Sequence, residues 1–131
     1  MSAAVLQGVP ATTFDTDIWI DLPSRQYIKV INICHKQGAQ LRSNTVVDLT
    51  DGSTVNFLYE VHGLHSFAYE FERACTVRWL GHDVRVLPLK RILRSKLVVR
   101  RPKDLAHIPL LRDTIRLQHR LKRKAASAPG P

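Results

Sequence analysis

Cysteines, acidic residues and long apolar runs are all scarce in this chain of 131 residues. Its two cysteines, Cys34 and Cys75, have no framework spacing and no Cys-x-x-Cys pattern, so we expect reduced thiols and a cytoplasmic location. No apolar run approaches the roughly 18 residues that a membrane span requires, and the N-terminus lacks the basic flank and apolar core of a signal peptide. These absences argue against a membrane protein and against a disulfide-stapled secreted domain.

The shortage of acidic residues leaves a strongly basic protein. There are 11 Asp and Glu residues against 20 Lys and Arg, which gives a formal net charge of +9. Fourteen of the 20 basic residues fall between Arg85 and Lys124, where only Asp104 and Asp113 oppose them. Such a charge distribution suits an anionic partner, and nucleotide phosphate, RNA and an acidic protein all remain open.

The first forty residues contain signals for one strand and one helix. We expect Met1 to Ala11 to form an irregular lead-in, because Gly8 and Pro10 break regular elements. Alternating β-branched and aromatic residues predict a strand from about Thr13 to Ile20. Apolar residues at helical spacing then predict a helix from Pro23 to Gln37.

The remaining residues predict two hairpins and three helices. The first hairpin joins Thr45–Thr50 to Ser53–Tyr59 through Asp51-Gly52. The other expected elements are a short helix from Phe67 to Ala74, strands at Thr76–Leu80 and Val84–Leu87, a basic helix opened by Pro88, and a helix after the turn at Arg101 to Asp104. We therefore expect an α+β fold, with a mixed β-sheet covered by helices. One domain should span residues 1–119, followed by a basic, disordered tail over residues 120–131.

An acidic pair in the first strand looks most like a chemical site. Alternation along a strand sends Asp15 and Asp17 to one face, where two carboxylates can hold a divalent cation. The same pattern is also typical of a solvated strand edge.

Four segments together resemble a known family. They are Thr13 to Ile20 (Thr-x-Asp-x-Asp-Ile-Trp-Ile), Val84 to Leu89 (Val-Arg-Val-Leu-Pro-Leu), Ser95-Lys96, and Arg101 to Leu105 (Arg-Pro-Lys-Asp-Leu). In this order they resemble the minimal nucleotidyltransferases of the DNA polymerase beta-like superfamily, over roughly Gly8 to Leu117. The resemblance implies a nucleotidyltransferase-like mixed sheet, Mg²⁺ as cofactor and a nucleoside triphosphate (NTP) as substrate.

The resemblance also assigns residues to roles. It implies that Asp15 and Asp17 bind Mg²⁺ and belong to the catalytic set, and that the nucleotide-binding residues are Thr13, Lys96, Arg101 and Lys103. The third catalytic carboxylate of the family falls on Asn56. An amide oxygen can bind a metal, but it brings no charge and cannot act as a general base.

Two further expectations concern what this chain has in place of the family's features. In a two-residue hairpin turn, Asp48 lies opposite Val55 and faces away from Asn56, so Asp48 should not replace the third carboxylate. The family also has a strand and a Gly-Gly or Gly-Ser turn before the aspartates. Only fourteen residues precede Asp15 here, so we expect the chain to be truncated at its N-terminus relative to the family.

Three functions follow from these patterns. The first is Mg²⁺-dependent transfer of a nucleotidyl group from an NTP to a protein or RNA hydroxyl, weakened by Asn56. The second is a non-catalytic interaction protein, for instance one component of a toxin-antitoxin pair that acts with a partner chain. The third is a basic nucleic-acid binder that uses Arg112 to Lys124.

Overall fold

A computed structural model describes residues 1–127, which form an α+β structure with two separate sheets. The elements in chain order are α1 (Ser2–Leu6), β1 (Asp15–Trp19), α2 (Ser24–Lys36), β2 (Gln40–Ser43), β3 (Val46–Asp48), β4 (Thr54–Leu58), α3 (Phe67–Glu72), β5 (Cys75–Trp79), β6 (His82–Val86), α4 (Leu89–Val99) and α5 (Pro102–Ser127).

The main sheet is mixed and has the strand order β1-β4-β3-β2. Strand β1 runs parallel to β4, whereas β3 is antiparallel to both of its neighbours. One face of the sheet packs against α2 through a cluster whose buried members are Ile20, Ala39, Val47 and Phe57. Because strand side chains alternate, Asp15 and Asp17 of β1 and Thr54 and Asn56 of β4 lie on the opposite face.

A second apolar cluster joins α1, α4 and α5. Its buried members are Ala4, Val9, Leu89, Ile92 and Leu111. One apolar cluster thus lies between the main sheet and α2, and the other lies among the helices α1, α4 and α5. The polar face of the sheet points away from α2.

The β5–β6 hairpin forms its own two-stranded sheet. Its turn residues Leu80 and Gly81 both have positive φ, at 49° and 79°, as a two-residue turn of this kind requires. The short helix α3 is tied to α4 by the buried Glu70, which accepts hydrogen bonds from Arg91 Nε at 2.8 and 3.1 Å and from Arg91 Nη2 at 3.0 Å.

Most of the predicted elements are confirmed, with shifts of a few residues at their ends. The strand at Asp15–Trp19, the helix at Ser24–Lys36 and the second hairpin all lie where the sequence predicts them. The expectation of an irregular lead-in was wrong, because Ser2–Leu6 is helical and the chain turns only at Gly8, where φ is +99°. Strand β2 was not predicted at all.

The register of the first hairpin also differs from the prediction. Its turn has three residues, because Leu49 N–H donates to Ser53 O at 2.9 Å and Gly52 N–H donates to Leu49 O at 3.2 Å. Gly52 adopts a φ of +88°, which suits the last position of such a turn. Asp48 consequently pairs with Thr54 and lies on the same face as Asn56, so the expectation that it faces away was wrong.

The last helix extends into the predicted tail. The sequence predicts a disordered tail over residues 120–131, whereas α5 continues to Ser127. The last four residues of that tail lie outside the described range.

None of the helices within residues 1–127 is long and apolar enough to cross a membrane. Both cysteines are free thiols.

Candidate functional site

A cleft of about 750 Å³ lies between the polar face of the main sheet and the helices α4 and α5. Its floor comes from β1 and β4, and its opposite wall from the second half of α4 and the first turn of α5. Residues from both sides that carry polar or charged groups include Asp17, Asn56, Ser95, Lys96, Arg101 and Lys103. The structure therefore brings five of the seven predicted site residues into one cleft.

The floor of the cleft is built on a pair of residues in register. Asp17 and Asn56 are Cα partners across the parallel strands β1 and β4, so their side chains emerge on the same face. The amide Nδ2 of Asn56 donates a hydrogen bond to Asp17 Oδ1 at 3.0 Å. The position that the resemblance assigns to a third carboxylate thus lies directly beside the second aspartate.

The other two predicted residues lie at the start of β1, outside the cleft lining. Asp15 pairs with Thr54, two residues before the Asp17–Asn56 pair, and its side chain is exposed. The hydroxyl of Thr13 donates to Asp15 O at 2.9 Å and accepts from Asp15 N–H at 3.2 Å. The side chain of Thr13 therefore fixes the beginning of the strand.

Asp48 shares the face of Asn56, but other side chains already bind it. Its two carboxylate oxygens accept hydrogen bonds from Arg42, and Thr54 Oγ1 donates to it at 3.1 Å. Asp48 is not part of the cleft lining. It therefore holds the hairpin to β2 and does not supply the missing carboxylate.

On the opposite wall, Asp104 holds the basic residues in place. Asp104 is 1% exposed, and its carboxylate accepts hydrogen bonds from Lys96 Nζ at 2.9 Å and from Arg101 Nε at 2.9 Å. It also accepts from the backbone N–H of Arg101 at 3.0 Å, which satisfies a free donor at the start of α5. Asp104 therefore joins α4 to the first turn of α5.

These contacts decide the charge of Asp104. Burial on its own raises the pKa of the Asp104 carboxyl, but the hydrogen bonds from Arg101 and Lys96 outweigh burial and hold the pKa well below its usual value. Lys96 and Arg101 are therefore partly neutralised by Asp104. Lys103 is exposed, and within residues 1–127 it has no acidic partner. The wall as a whole carries three positive charges and one negative charge.

Next to this cluster, His107 has a buried ring nitrogen, Nδ1, with no hydrogen-bond partner among the described residues. Burial lowers the pKa of His107, and the positive charge of Lys96 lowers it further. His107 is therefore a neutral part of the helix packing and not a cation of the cleft.

The side-chain oxygens near the floor of the cleft can be compared with the ligands that Mg²⁺ prefers. Within residues 1–127, no three His, Cys, Asp or Glu side chains lie close enough together to hold a metal ion. Mg²⁺ in proteins is usually bound by one or two carboxylates together with substrate phosphates, so Asp17 and Asp15 are the right type of ligand. The residues therefore fit a metal that arrives with a phosphate ligand, and Asn56 offers an oxygen only if its amide turns away from Asp17.

Sequence reasoning missed part of the site. Glu60 and His62, in the loop after β4, line the same cleft, as do apolar residues such as Leu58, Leu87 and Val99. The loop residues carry no motif, and their position becomes evident only when the parallel pairing of β1 with β4 is known. Comparisons of the chain with protein-family models, with curated proteins and with solved structures found no match.

Proposed function

We propose that this chain is a minimal nucleotidyltransferase-like protein of the DNA polymerase beta-like superfamily, and that its cleft binds an NTP together with Mg²⁺. One observation carries the proposal. Asp17 and Asn56, on the sheet, share a cleft with Lys96, Arg101 and Lys103, which come about eighty residues after Asp17 and about forty after Asn56. An acidic floor opposite a basic wall suits a phosphate chain that contacts cations on both of its sides.

Each side of the cleft has a separate task in this proposal. Asp17 and Asp15 hold the metal, which when bound offsets the negative charge of the triphosphate. Lys103 contacts the phosphates directly, because it is the wall cation without an acidic partner among the described residues. Lys96 and Arg101 add positive potential from fixed positions, since the buried Asp104 restrains both of them.

Asn56 limits the rate of transfer. In the family pattern, a carboxylate at this position contributes charge to the metal site and can accept the proton of an attacking hydroxyl. The amide of Asn56 does neither. We therefore propose binding of the metal and nucleotide together with slow transfer of the nucleotidyl group to a hydroxyl acceptor, with pyrophosphate as the leaving group.

Calorimetric titration tests the binding. Wild type should bind NTP in the presence of Mg²⁺, and a variant with Asp15→Asn and Asp17→Asn should bind it much more weakly. Asp51→Asn is the matched control, because Asp51 lies at the hairpin tip outside the cleft and an Asn can still accept from Ser53 N–H. Equal binding by all three proteins would reject the proposal.

One observation favours a non-catalytic alternative. The Asn56 amide donates a hydrogen bond to Asp17 Oδ1 at 3.0 Å, which is a contact that a purely structural pair would make. In this alternative, the protein acts through a partner chain, as toxin-antitoxin components do. Transfer of label from an NTP labelled on its α-phosphate to any acceptor would eliminate this alternative, and its absence alongside intact nucleotide binding would favour it.

A further inference from the structure

The second half of α5 carries a row of exposed arginines. Arg112, Arg116, Arg120 and Arg123, here called the arginine row, are spaced by four, four and three residues. At 3.6 residues per turn, these positions fall within an arc of about 80° on one face of the helix. They extend about 16 Å along its axis, with one guanidinium at nearly every turn.

The body of the protein leaves this face uncovered. The buried side of α5 consists of Asp104, Ile108, Leu111 and Thr114. Near the end of α1, Gln118 Nε2 donates a hydrogen bond to Gln7 O at 2.7 Å. Every residue from Leu117 to Ala126 is exposed. The helix therefore projects from the body and presents the arginine row to solvent.

The second half of α5 is strongly basic. Between Arg112 and Lys124 there are six Lys and Arg residues against the single acidic residue Asp113. Asp113 contacts Arg116 only at 3.7 Å, and both side chains are more than 70% exposed. Arg120 and Arg123 have no acidic partner among the described residues. The four guanidinium groups of the arginine row are therefore exposed to solvent, and among the described residues only Arg116 lies near a carboxylate.

We propose that the arginine row binds the phosphodiester backbone of a nucleic-acid strand. The proposal stands on α5 alone and does not depend on the proposed nucleotide site. Guanidinium groups form paired hydrogen bonds with phosphate oxygens, and evenly spaced cations suit a polymer with a regularly repeated negative charge.

Other anionic partners fit this surface less well. A helix that lies on a membrane buries an apolar face that usually includes Trp, Phe or Leu. Helix α5 has no Trp, Tyr or Phe, and its large exposed apolar residues near the row are Leu117 and Leu121. Without these large aromatic side chains, the row binds mainly through its charges, so binding should depend little on sequence and be sensitive to salt.

Fluorescence anisotropy with a labelled single-stranded oligonucleotide tests the proposal without Mg²⁺ or NTP. Four phosphate contacts predict that affinity falls about fiftyfold between about 50 mM and about 200 mM salt. In an Arg116→Gln, Arg120→Gln variant, two contacts remain and the fall should be about sevenfold. The affinity should be measured for the same sequence as RNA and as DNA. Both should bind if the row contacts the backbone, and tighter binding of the RNA would indicate an added contact with the 2′-hydroxyl.

A matched control removes two charges elsewhere. Arg25→Gln with Lys29→Gln has the same spacing on the exposed side of α2, and neither residue has an acidic partner among those described. This control should bind like wild type, and circular dichroism should show equal helix content in all three proteins. An equal loss of binding in the control would overturn the proposal, because net charge alone would then explain the affinity.

Three further probes complete the test. Asp17→Asn should bind the oligonucleotide like wild type, so a failure of the nucleotide site and a failure of the arginine row give different results. Polyglutamate of equal charge should compete poorly, and equal competition would overturn recognition of phosphate. The third probe is binding to vesicles of equimolar phosphatidylcholine and phosphatidylserine. The proposal would be overturned in favour of a membrane surface if wild type bound these vesicles but not the oligonucleotides, and the Arg116→Gln, Arg120→Gln variant lost the vesicle binding.

Discussion

Asn56 donates its side-chain amide to Asp17 across two parallel strands, at 3.0 Å between Asn56 Nδ2 and Asp17 Oδ1. Two carboxylates in these positions would repel each other unless a cation lay between them. The amide removes that repulsion and makes the floor of the cleft stable without a metal. In the proposed function, this one residue pair therefore links the stability of the sheet to the binding of the metal.

Replacement of Asn56 by Asp should make stability depend on Mg²⁺. Without metal, loss of the hydrogen bond and the added repulsion should lower the free energy of unfolding by about 1 kcal/mol, or the melting temperature by about 4 °C. Added Mg²⁺ should restore it. Thermal unfolding with and without Mg²⁺ measures both effects. Asn56→Ala is the control, since it loses the hydrogen bond without gaining a ligand, and an equal Mg²⁺ response in both variants would contradict the account.

Replacement of Asp104 by Ala should destabilise the fold strongly. The change leaves Lys96, whose side chain is 12% exposed, without its partner and removes the acceptor at the start of α5. The expected loss is about 3–5 kcal/mol in the free energy of unfolding, measured with urea. Asp113→Ala removes an exposed carboxylate of the same helix and should cost less than about 1 kcal/mol. Similar losses in the two variants would refute the joining role of Asp104.

Asp104 should also shape the acid sensitivity of the protein. Its pKa is depressed in the folded state, so the unfolded chain takes up the proton first as the pH falls. The stabilisation is complete above about pH 4, the unfolded value, and is lost at lower pH. Urea unfolding across this range should therefore show a steeper loss in wild type than in Asp104→Asn.

His107 should add a second pH dependence, in a higher range. Burial lowers its pKa in the folded state, so the unfolded chain again binds the proton first. Stability should fall as the pH drops below about 6.5. His107→Leu, which also removes the unpartnered Nδ1, should flatten the unfolding free energy between about pH 7.5 and about pH 5.5. An equal effect of His119→Leu, on the exposed face, would show that the dependence does not come from His107.

Among the glycines within residues 1–127, Gly63 should tolerate substitution least. Its φ is +81°, and a Cβ there would lie 2.7 Å from Val98 Cγ2 on α4. Gly52 has a similar φ of +88° but open space around it. Gly52→Ala should therefore cost about 1 kcal/mol from backbone strain alone, and Gly63→Ala about 2–3 kcal/mol. Partial rescue by Val98→Ala, measured by urea unfolding, separates the clash from the strain.

Much of the fold was predictable because local signals agreed with the final structure. The alternation in β1 and the apolar spacing in α2 are patterns that a single element satisfies by itself. The first hairpin shows the limit of such signals. Asp51-Gly52 indicates a turn, but a three-residue turn uses the same Gly at positive φ and shifts the register by one residue. That shift moved Asp48 to the face of Asn56.

The candidate site was predictable only in part, for a physical reason. Spacing and the resemblance singled out Asp15, Asp17 and the basic motif, of which Asp17 and the basic residues share the cleft whereas Asp15 lies outside its lining. The contribution of Glu60 and His62, and the partial neutralisation of Lys96 by Asp104, depend on how distant elements pack. Spacing along the chain carries no information about such contacts. The helical segment at Ser2–Leu6 was missed because its stability comes from Ala4 in the cluster with Leu89 and Leu111.

The central claim is that a metal and a nucleotide bind together at Asp17. Paramagnetic broadening by Mn²⁺, a substitute for Mg²⁺, tests it most directly in amide NMR spectra recorded with a non-hydrolysable NTP. The account predicts selective broadening of the signals of Asp15, Asp17 and Asn56, with weaker effects at Lys96 and Lys103, and its loss in the Asp15→Asn, Asp17→Asn variant. Broadening centred elsewhere, or unchanged in that variant, would contradict the account.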